Sequence, residues 1–145
     1  MDTLLKQYRC LIENESDVVA VMANTSAFIY ENLENLNWAG FYIFRDGELV
    51  LGPFQGKIAC YRIKMDRGVC GHCATNRKSV VVDNVHEFPG HIACDSASNS
   101  ELVVPVIKDG ELFGVIDIDS FEFENFSEKD KEFIEGISEI FAEKL

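Results

Sequence analysis

The chain has 145 residues, of which 47% are apolar and 26% charged, which is the balance of a folded domain and not of a disordered segment. Its 25 acidic residues against 13 basic ones give a net charge of -12, which argues against nucleic acid or an anionic membrane as the partner. No apolar run approaches the roughly 20 residues of a spanning helix and no basic-then-apolar leader opens the chain, so we expect a cytoplasmic protein with one domain over residues 1–145.

Two helices are predicted ahead of the first strand. Apolar residues spaced three and four apart predict a helix over residues 4–12. Ser16-Asp17 is a candidate N-cap for a second helix, whose apolar stripe runs from Val18 to Leu36.

The middle of the chain predicts a hairpin, a long loop and a short helix. An aromatic-rich strand over residues 38–44 is followed by the turn Arg45-Asp46-Gly47 and a returning strand over 48–51. Residues 52–67 show no clear period, so we expect a loop there with a short strand near Cys60. A helix is predicted over 68–76.

The last part of the chain predicts three strands and a helix. After a strand over residues 79–82, the irregular segment 84–100 has the length of a functional loop. Strands over 102–107 and 112–119 are joined by Lys108-Asp109-Gly110, and Ser127 with Asp130 forms a capping box for the final helix. This order predicts an α+β domain with a central, mostly antiparallel sheet and helices packed on it.

Five cysteines are many for a chain of this length, and in a cytosolic protein they indicate thiol or metal chemistry. Cys94 lies in the irregular loop near a histidine, where its pKa can fall and the thiolate can act as a nucleophile; the alternative is a buried packing residue. Cys70 and Cys73 form a C-x-x-C motif, which fits either a redox pair at a helix start or part of a zinc site with a histidine. We interpret Cys10 as a packing residue.

Three carboxylates form a second candidate group. Asp117 and Asp119 are two residues apart on an apolar strand and share a face, so they either meet solvent there or form a cation site or an acid with a raised pKa. A three-residue turn would pair Glu101 with Asp117 on that face, whereas a two-residue turn would pair Glu101 with Ile118 on the other. We predict the three-residue turn. One of three neighbouring carboxylates then holds its proton more readily, and a bound ammonium would relieve their repulsion.

Trp38 and Tyr42 are four residues apart on a strand and therefore share a face. The usual role of such a pair is core packing, which we favour. The alternative is an aromatic wall for an apolar group of a ligand.

Residues 38–120 resemble the free methionine-(R)-sulfoxide reductases, which are GAF-domain enzymes. The matching stretches are NWAGFY (37–42), GPFQG (52–56), GVCG (68–71), FPGHIACD (88–95), SNSE (98–101) and GVIDIDS (114–120). The resemblance implies a GAF-like fold with the N-terminal and C-terminal helices together on one side of the sheet. It also implies a homodimer, plausibly formed through the N-terminal helices.

The resemblance also implies residue roles. Cys94 is the attacking cysteine, Cys60 its resolving partner, and Cys70 assists in recycling the disulfide. The substrate pocket is implied to use a set of aromatic and acidic residues, namely Trp38, Tyr42, Glu101, Asp117 and Asp119. The chain departs from the family pattern at Cys73, which adds a thiol beside Cys70.

The implied reaction is reduction of free methionine-(R)-sulfoxide through a cysteine sulfenic acid and a disulfide, recycled by a thioredoxin-like reductant and requiring no metal or organic cofactor. Two alternatives remain open. One is a GAF sensor module that binds a small ligand without chemistry. The other is a zinc-binding domain that uses Cys70, Cys73 and a histidine.

Overall fold

A computed structural model describes residues 2–91 and 97–145. The elements in chain order are α1 (Asp2–Ile12), α2 (Val18–Asn32), β1 (Leu36–Arg45), β2 (Glu48–Gly56), β3 (Arg62–Lys64), α3 (Gly68–Asn76), β4 (Val80–Val82), β5 (Ser100–Lys108), β6 (Glu111–Ser120) and α4 (Glu128–Ala142), with a 3-10 turn at Val85–Glu87. The strands form one sheet in the order β3-β2-β1-β6-β5-β4, and each paired neighbour is antiparallel.

The two faces of the sheet carry different layers because side chains alternate along each strand. Alternate residues such as Phe41, Val104 and Ile116 pack with α1, α2 and α4 into the larger apolar cluster. The other face packs with α3 into a smaller cluster that includes Trp38 and Tyr42. The prediction of an α+β fold with the terminal helices on one side of an antiparallel sheet is confirmed.

The predicted caps are also confirmed. The Asp17 side chain accepts a hydrogen bond from the backbone N–H of Ala20 at the start of α2. At the start of α4, Ser127 and Asp130 make both bonds of a capping box. Among the described helices, none combines the length and apolar character needed to span a membrane.

The prediction of a loop after residue 51 is wrong, because β2 continues to Gly56 and pairs with β1 as far as Trp38. Pro53 is tolerated there for two reasons. The pairing contains a bulge between Gly40 and Tyr42, and β3 pairs with β2 only over its first residues, which leaves the proline on an edge. The short strand expected near Cys60 is β3.

The predicted three-residue turn between β5 and β6 is wrong. Asp109 and Gly110 both have positive φ, 52° and 79°, as in a two-residue turn that pairs Lys108 with Glu111. A bulge then adds one residue, Phe113, to β6.

This bulge changes the residue that pairs with Glu101. Glu101 pairs with Asp119 and not with Asp117, which lies opposite Val103. The shorter turn shifts the pairing by one residue and the bulge by one more in the same direction. A shift of two residues restores the face, so the predicted sharing of one face by the three carboxylates holds although the predicted pairing does not.

The turn generates a stability prediction. Gly110→Ala places a Cβ on a left-handed residue, which we expect to lower the free energy of unfolding by about 1 kcal/mol. Glu111→Ala, at the adjacent exposed position, is the control and should change it by less than about 0.5 kcal/mol. Urea unfolding measures both, and equal values for the two variants would contradict the strained turn.

Candidate active site

An aromatic wall lies on the α3 face of the sheet. Trp38 and Tyr42 are each 2% exposed, and their rings stack with centroids 5.8 Å apart. Phe54 from β2 also stacks on Trp38, with ring centroids 5.0 Å apart. The sequence left two alternatives for Trp38 and Tyr42, core packing or a wall for a ligand. Both descriptions apply in the structure, because these two rings are buried and also line a cavity.

The polar ends of the two wall residues bind the segment that leads from β2 to β3. Trp38 donates its Nε1–H to the carbonyl oxygen of Lys57 at 3.2 Å. Tyr42 donates its hydroxyl to the carbonyl oxygen of Cys60 at 2.9 Å. Each aromatic side chain therefore fixes one end of segment 57–60.

The three predicted carboxylates meet beside this wall. Glu101 and Asp117 are buried and Asp119 is half-buried, and carboxyl oxygens of Glu101 and Asp117 lie within 4.8 Å of each other. Burial raises the pKa of Glu101 well above its ordinary value, and the negative charge of Asp117 raises it further. Burial also raises the pKa of Asp117, against the opposing effect of its hydrogen bonds to Glu101 and Cys70. Two buried carboxyl groups this close repel each other when both are ionised, so the cluster favours retaining a proton.

Cys70 completes this cluster from the first turn of α3. Its Sγ donates toward Oε2 of Glu101 at 3.9 Å, and burial followed by the charge of Asp117 raises its pKa well above the ordinary value. The thiolate considered for the start of this helix is therefore disfavoured, because burial among carboxylates outweighs the helix dipole.

The other cysteines occupy different environments. Cys73 is a buried free thiol whose pKa burial raises, so it is unreactive there. Cys10 is a free thiol exposed on α1, and its interpretation as a packing residue is wrong. Cys60 is disulfide-bonded. Cys94, the predicted attacking residue, lies outside the described residues.

A cavity of about 40 Å³ separates the aromatic wall from the carboxyl cluster. This space is large enough for a few water molecules. Its described lining comprises Trp38, Tyr42, Ile58, Ala59, Ile63, Arg67, Gly68, Val69, Cys70, His91, Ser98, Glu101, Asp117 and Asp119. Every predicted substrate-binding residue is in this set.

The sequence missed several lining residues as parts of the site. Ile58 and Ala59 lie in the segment predicted as a featureless loop, and no pattern marked them. Arg67 directly precedes α3, and its place before a predicted helix start was the one signal available. Ser98 lies within the SNSE stretch, where only Glu101 was singled out.

Two buried polar atoms at the cavity have no hydrogen-bond partner within the described part of the chain: His91 Nδ1 and Asp117 Oδ1. Burial lowers the pKa of His91, with a further contribution from His86. A polar ligand in the cavity would satisfy these atoms. The site is thus suited to a small molecule with an apolar group for the aromatic wall and charged or polar groups for the acids.

The zinc alternative is not supported by the placement of its ligands. Within residues 2–91 and 97–145, the one group of three donors close enough to share an ion is Cys70, Glu101 and Asp117, whose ligand atoms lie within 4.8 Å of one another. Neither Cys73 nor a histidine belongs to it. His72 instead contacts Asn76 and the ring of Phe88.

Comparisons with known proteins agree with this geometry. The family model described as GAF domain matches residues 19–144. The free methionine-R-sulfoxide reductase of Escherichia coli is 46% identical over 97% of this chain and 83% of its own length. Among solved structures, fRMsr of Staphylococcus aureus in complex with substrate is 45% identical with a TM-score of 0.94, covering 99% of this chain and 94% of that one. Free methionine-R-sulfoxide reductase from Neisseria meningitidis in complex with its substrate is 41% identical with a TM-score of 0.94, covering 97% of this chain and 85% of that one.

The buried acid predicts a pH-dependent stability. Between the ordinary pKa of Glu101, 4.5, and its raised value in the fold, the folded protein retains a proton that the unfolded chain releases. Stability therefore falls as pH rises through this window. In Glu101→Gln we expect a weaker fall, measured as urea midpoints at mildly acidic and mildly alkaline pH. Glu111→Gln, at an exposed site, should keep the parental slope; an unchanged slope in Glu101→Gln would contradict the buried proton.

Proposed function

The chain belongs to the free methionine-R-sulfoxide reductase family of GAF-domain enzymes, and on that premise we propose that it reduces free L-methionine-(R)-sulfoxide to L-methionine. The observation that carries the proposal is the cavity that faces an aromatic wall on one side and a proton-holding carboxyl cluster on the other. A small zwitterion with a methyl sulfoxide group matches both sides.

The carboxylates account for the choice of a free amino acid. Of the three acids, Glu101 has the strongest reason to remain protonated, which leaves negative charge on Asp117 and Asp119 for the substrate ammonium. A peptide nitrogen is an uncharged amide and gains nothing from these charges. The indole of Trp38, with Tyr42 beside it, packs on the substrate methyl group.

The reducing step uses one thiol and one acid. The Cys94 thiolate attacks the sulfoxide sulfur while the Glu101 carboxyl group protonates the oxygen, which requires the raised pKa that its surroundings provide. The oxygen passes to the Cys94 sulfur as a sulfenic acid, and methionine leaves. The electron pair comes from the cysteine, so no metal or organic cofactor enters the reaction.

The resolving step joins Cys60 to the oxidised Cys94. The Cys60 thiol displaces water from the sulfenic acid, and a thioredoxin-like dithiol then reduces the disulfide. Two facts support this pairing: Cys60 is disulfide-bonded, and Cys10, Cys70 and Cys73 are free thiols. Cys70 assists in recycling once its proton has left, and Glu101 can accept that proton after giving its own to the sulfoxide oxygen.

The proposed assembly is a cytoplasmic homodimer formed through the N-terminal helices. Exposed apolar side chains on α1 and α2 support this surface: Leu11 is 45% exposed, Val19 62% and Tyr30 38%.

Replacement of the attacking sulfur tests the reaction. Cys94→Ser should reduce turnover of the R epimer, with dithiothreitol as reductant, to the level without enzyme, because a hydroxyl cannot accept the oxygen. The matched control is Cys10→Ser at an exposed free thiol, which should keep the parental rate. Parental activity in Cys94→Ser would refute the mechanism.

Tight substrate binding by an inactive wild-type protein would instead favour a GAF sensor module. Stoichiometric zinc in the purified protein would favour a zinc-binding domain.

Substrate charge tests the role of the acids. N-acetylation of methionine-(R)-sulfoxide removes the ammonium, so we expect kcat/KM to fall about 10- to 100-fold, the range for losing a charged hydrogen bond. Steady-state rates on the two substrates give this ratio. Equal turnover would contradict ammonium binding by Asp117 and Asp119.

A further inference from the structure

The hydroxyl of Tyr42 is bound to the backbone of the proposed resolving cysteine. It donates to the Cys60 carbonyl oxygen at 2.9 Å from a side chain that is 2% exposed. Burial raises the pKa of Tyr42, and the charge of Asp117 raises it further, so the group remains a donor throughout the neutral range. Water has little access to compete for this bond.

The segment that carries Cys60 has few other attachments on its outer side. Ile58 is 88% exposed and Tyr61 is 76% exposed. Lys57 is held through its carbonyl oxygen by Trp38, and the Tyr61 carbonyl accepts from the backbone N–H of Leu51 at 2.9 Å. In addition to the disulfide of Cys60, the Tyr42 hydroxyl connects the Cys60 backbone to the sheet.

Tyr42 lies on β1, a strand that is paired on both sides. β1 pairs with β2 on one side and β6 on the other, so the position of Tyr42 is fixed from both directions. The two tethered residues, Lys57 and Cys60, lie on either side of Ile58 and Ala59, which line the cavity. The hydrogen bonds of Trp38 and Tyr42 therefore hold this part of the cavity lining at both ends.

We propose that Tyr42 is a positioning residue for the disulfide-forming step, in which its hydroxyl holds Cys60 where it can meet the sulfenic acid. The proposal rests on the function proposed above. In this step the Cys60 sulfur forms a bond to the Cys94 sulfur, the S–O bond of the sulfenic acid breaks, and the oxygen leaves as water with the thiol proton. Holding one reactant in place raises its effective concentration, so the rate of this step depends on the hydrogen bond between Tyr42 and Cys60.

Tyr42 makes two separate contacts. Tyr42 contacts the cavity through its ring and the resolving segment through its hydroxyl. Phenylalanine at this position keeps the first contact and removes the second, which allows the two to be measured apart.

The test is a single turnover of the fully reduced protein with methionine-(R)-sulfoxide, following methionine and free thiols over time. In Tyr42→Phe we expect the ratio of the disulfide-forming rate to the methionine-forming rate to fall about tenfold, the upper range for one neutral hydrogen bond. Dimedone should then trap more sulfenic acid than in the parent. Tyr61→Phe loses the same atom one residue from Cys60, at an exposed position, and should keep the parental ratio.

An unchanged ratio in Tyr42→Phe, even with both rates lowered together, would overturn the positioning role and leave the proposed function intact. A parent protein that forms no methionine would refute the proposed function instead.

The equilibrium of the Cys60 disulfide with a dithiol buffer then tests the hydrogen bond between Tyr42 and Cys60 alone. It should shift about tenfold toward the dithiol in Tyr42→Phe, or about 30 mV, and not in Tyr61→Phe. If Tyr42→Phe does not fold, Tyr42→Met, which also lacks the hydroxyl, takes its place; the same fall is expected, and an unchanged ratio would overturn the positioning role.

Discussion

Two carboxylic acids and a thiol share a buried patch where the strands β5 and β6 meet the first turn of α3. Glu101 and Asp117 are each 6% exposed, and Cys70 donates to Glu101. Ionising all of these groups without water would be costly, so the patch favours the protonated form of at least one carboxyl group. That proton is what the proposed reduction of a sulfoxide requires, and the remaining negative charge is what the substrate ammonium would meet in the proposed complex.

The opposite side of the sheet supports the layer in which this buried patch lies. The opposite face of the sheet packs against α1, α2 and α4, and this larger apolar cluster supports a smaller cluster that contains polar groups. β1 contributes to both layers because its side chains alternate. Phe41 lies in the large cluster, while Trp38 and Tyr42 turn to the cavity and bind the segment of Cys60. The aromatic wall and the segment of the proposed resolving cysteine therefore both depend on one central strand.

The helices and most strands followed from the sequence because apolar periodicity and caps are local signals. The proposed substrate-binding residues came from the family resemblance, and the structure places all five around one cavity. The register of β5 and β6 did not, since the bulge at Phe113 has no local signature and depends on how two strands pack. The extension of β2 past Pro53 was missed for a similar reason, because an edge position becomes visible only when the sheet order is known. The protonated state of Cys70 required its neighbours on β5 and β6.

Infrared spectroscopy of the carboxyl groups measures the central claim most directly. The account predicts a band of a protonated carboxylic acid in the wild-type protein at neutral pH that is absent from Glu101→Gln. This band should shift on exchange into deuterated water and should disappear only on a rise in pH above the raised pKa of Glu101. A wild-type spectrum at neutral pH in which all carboxyl groups are ionised would contradict the account.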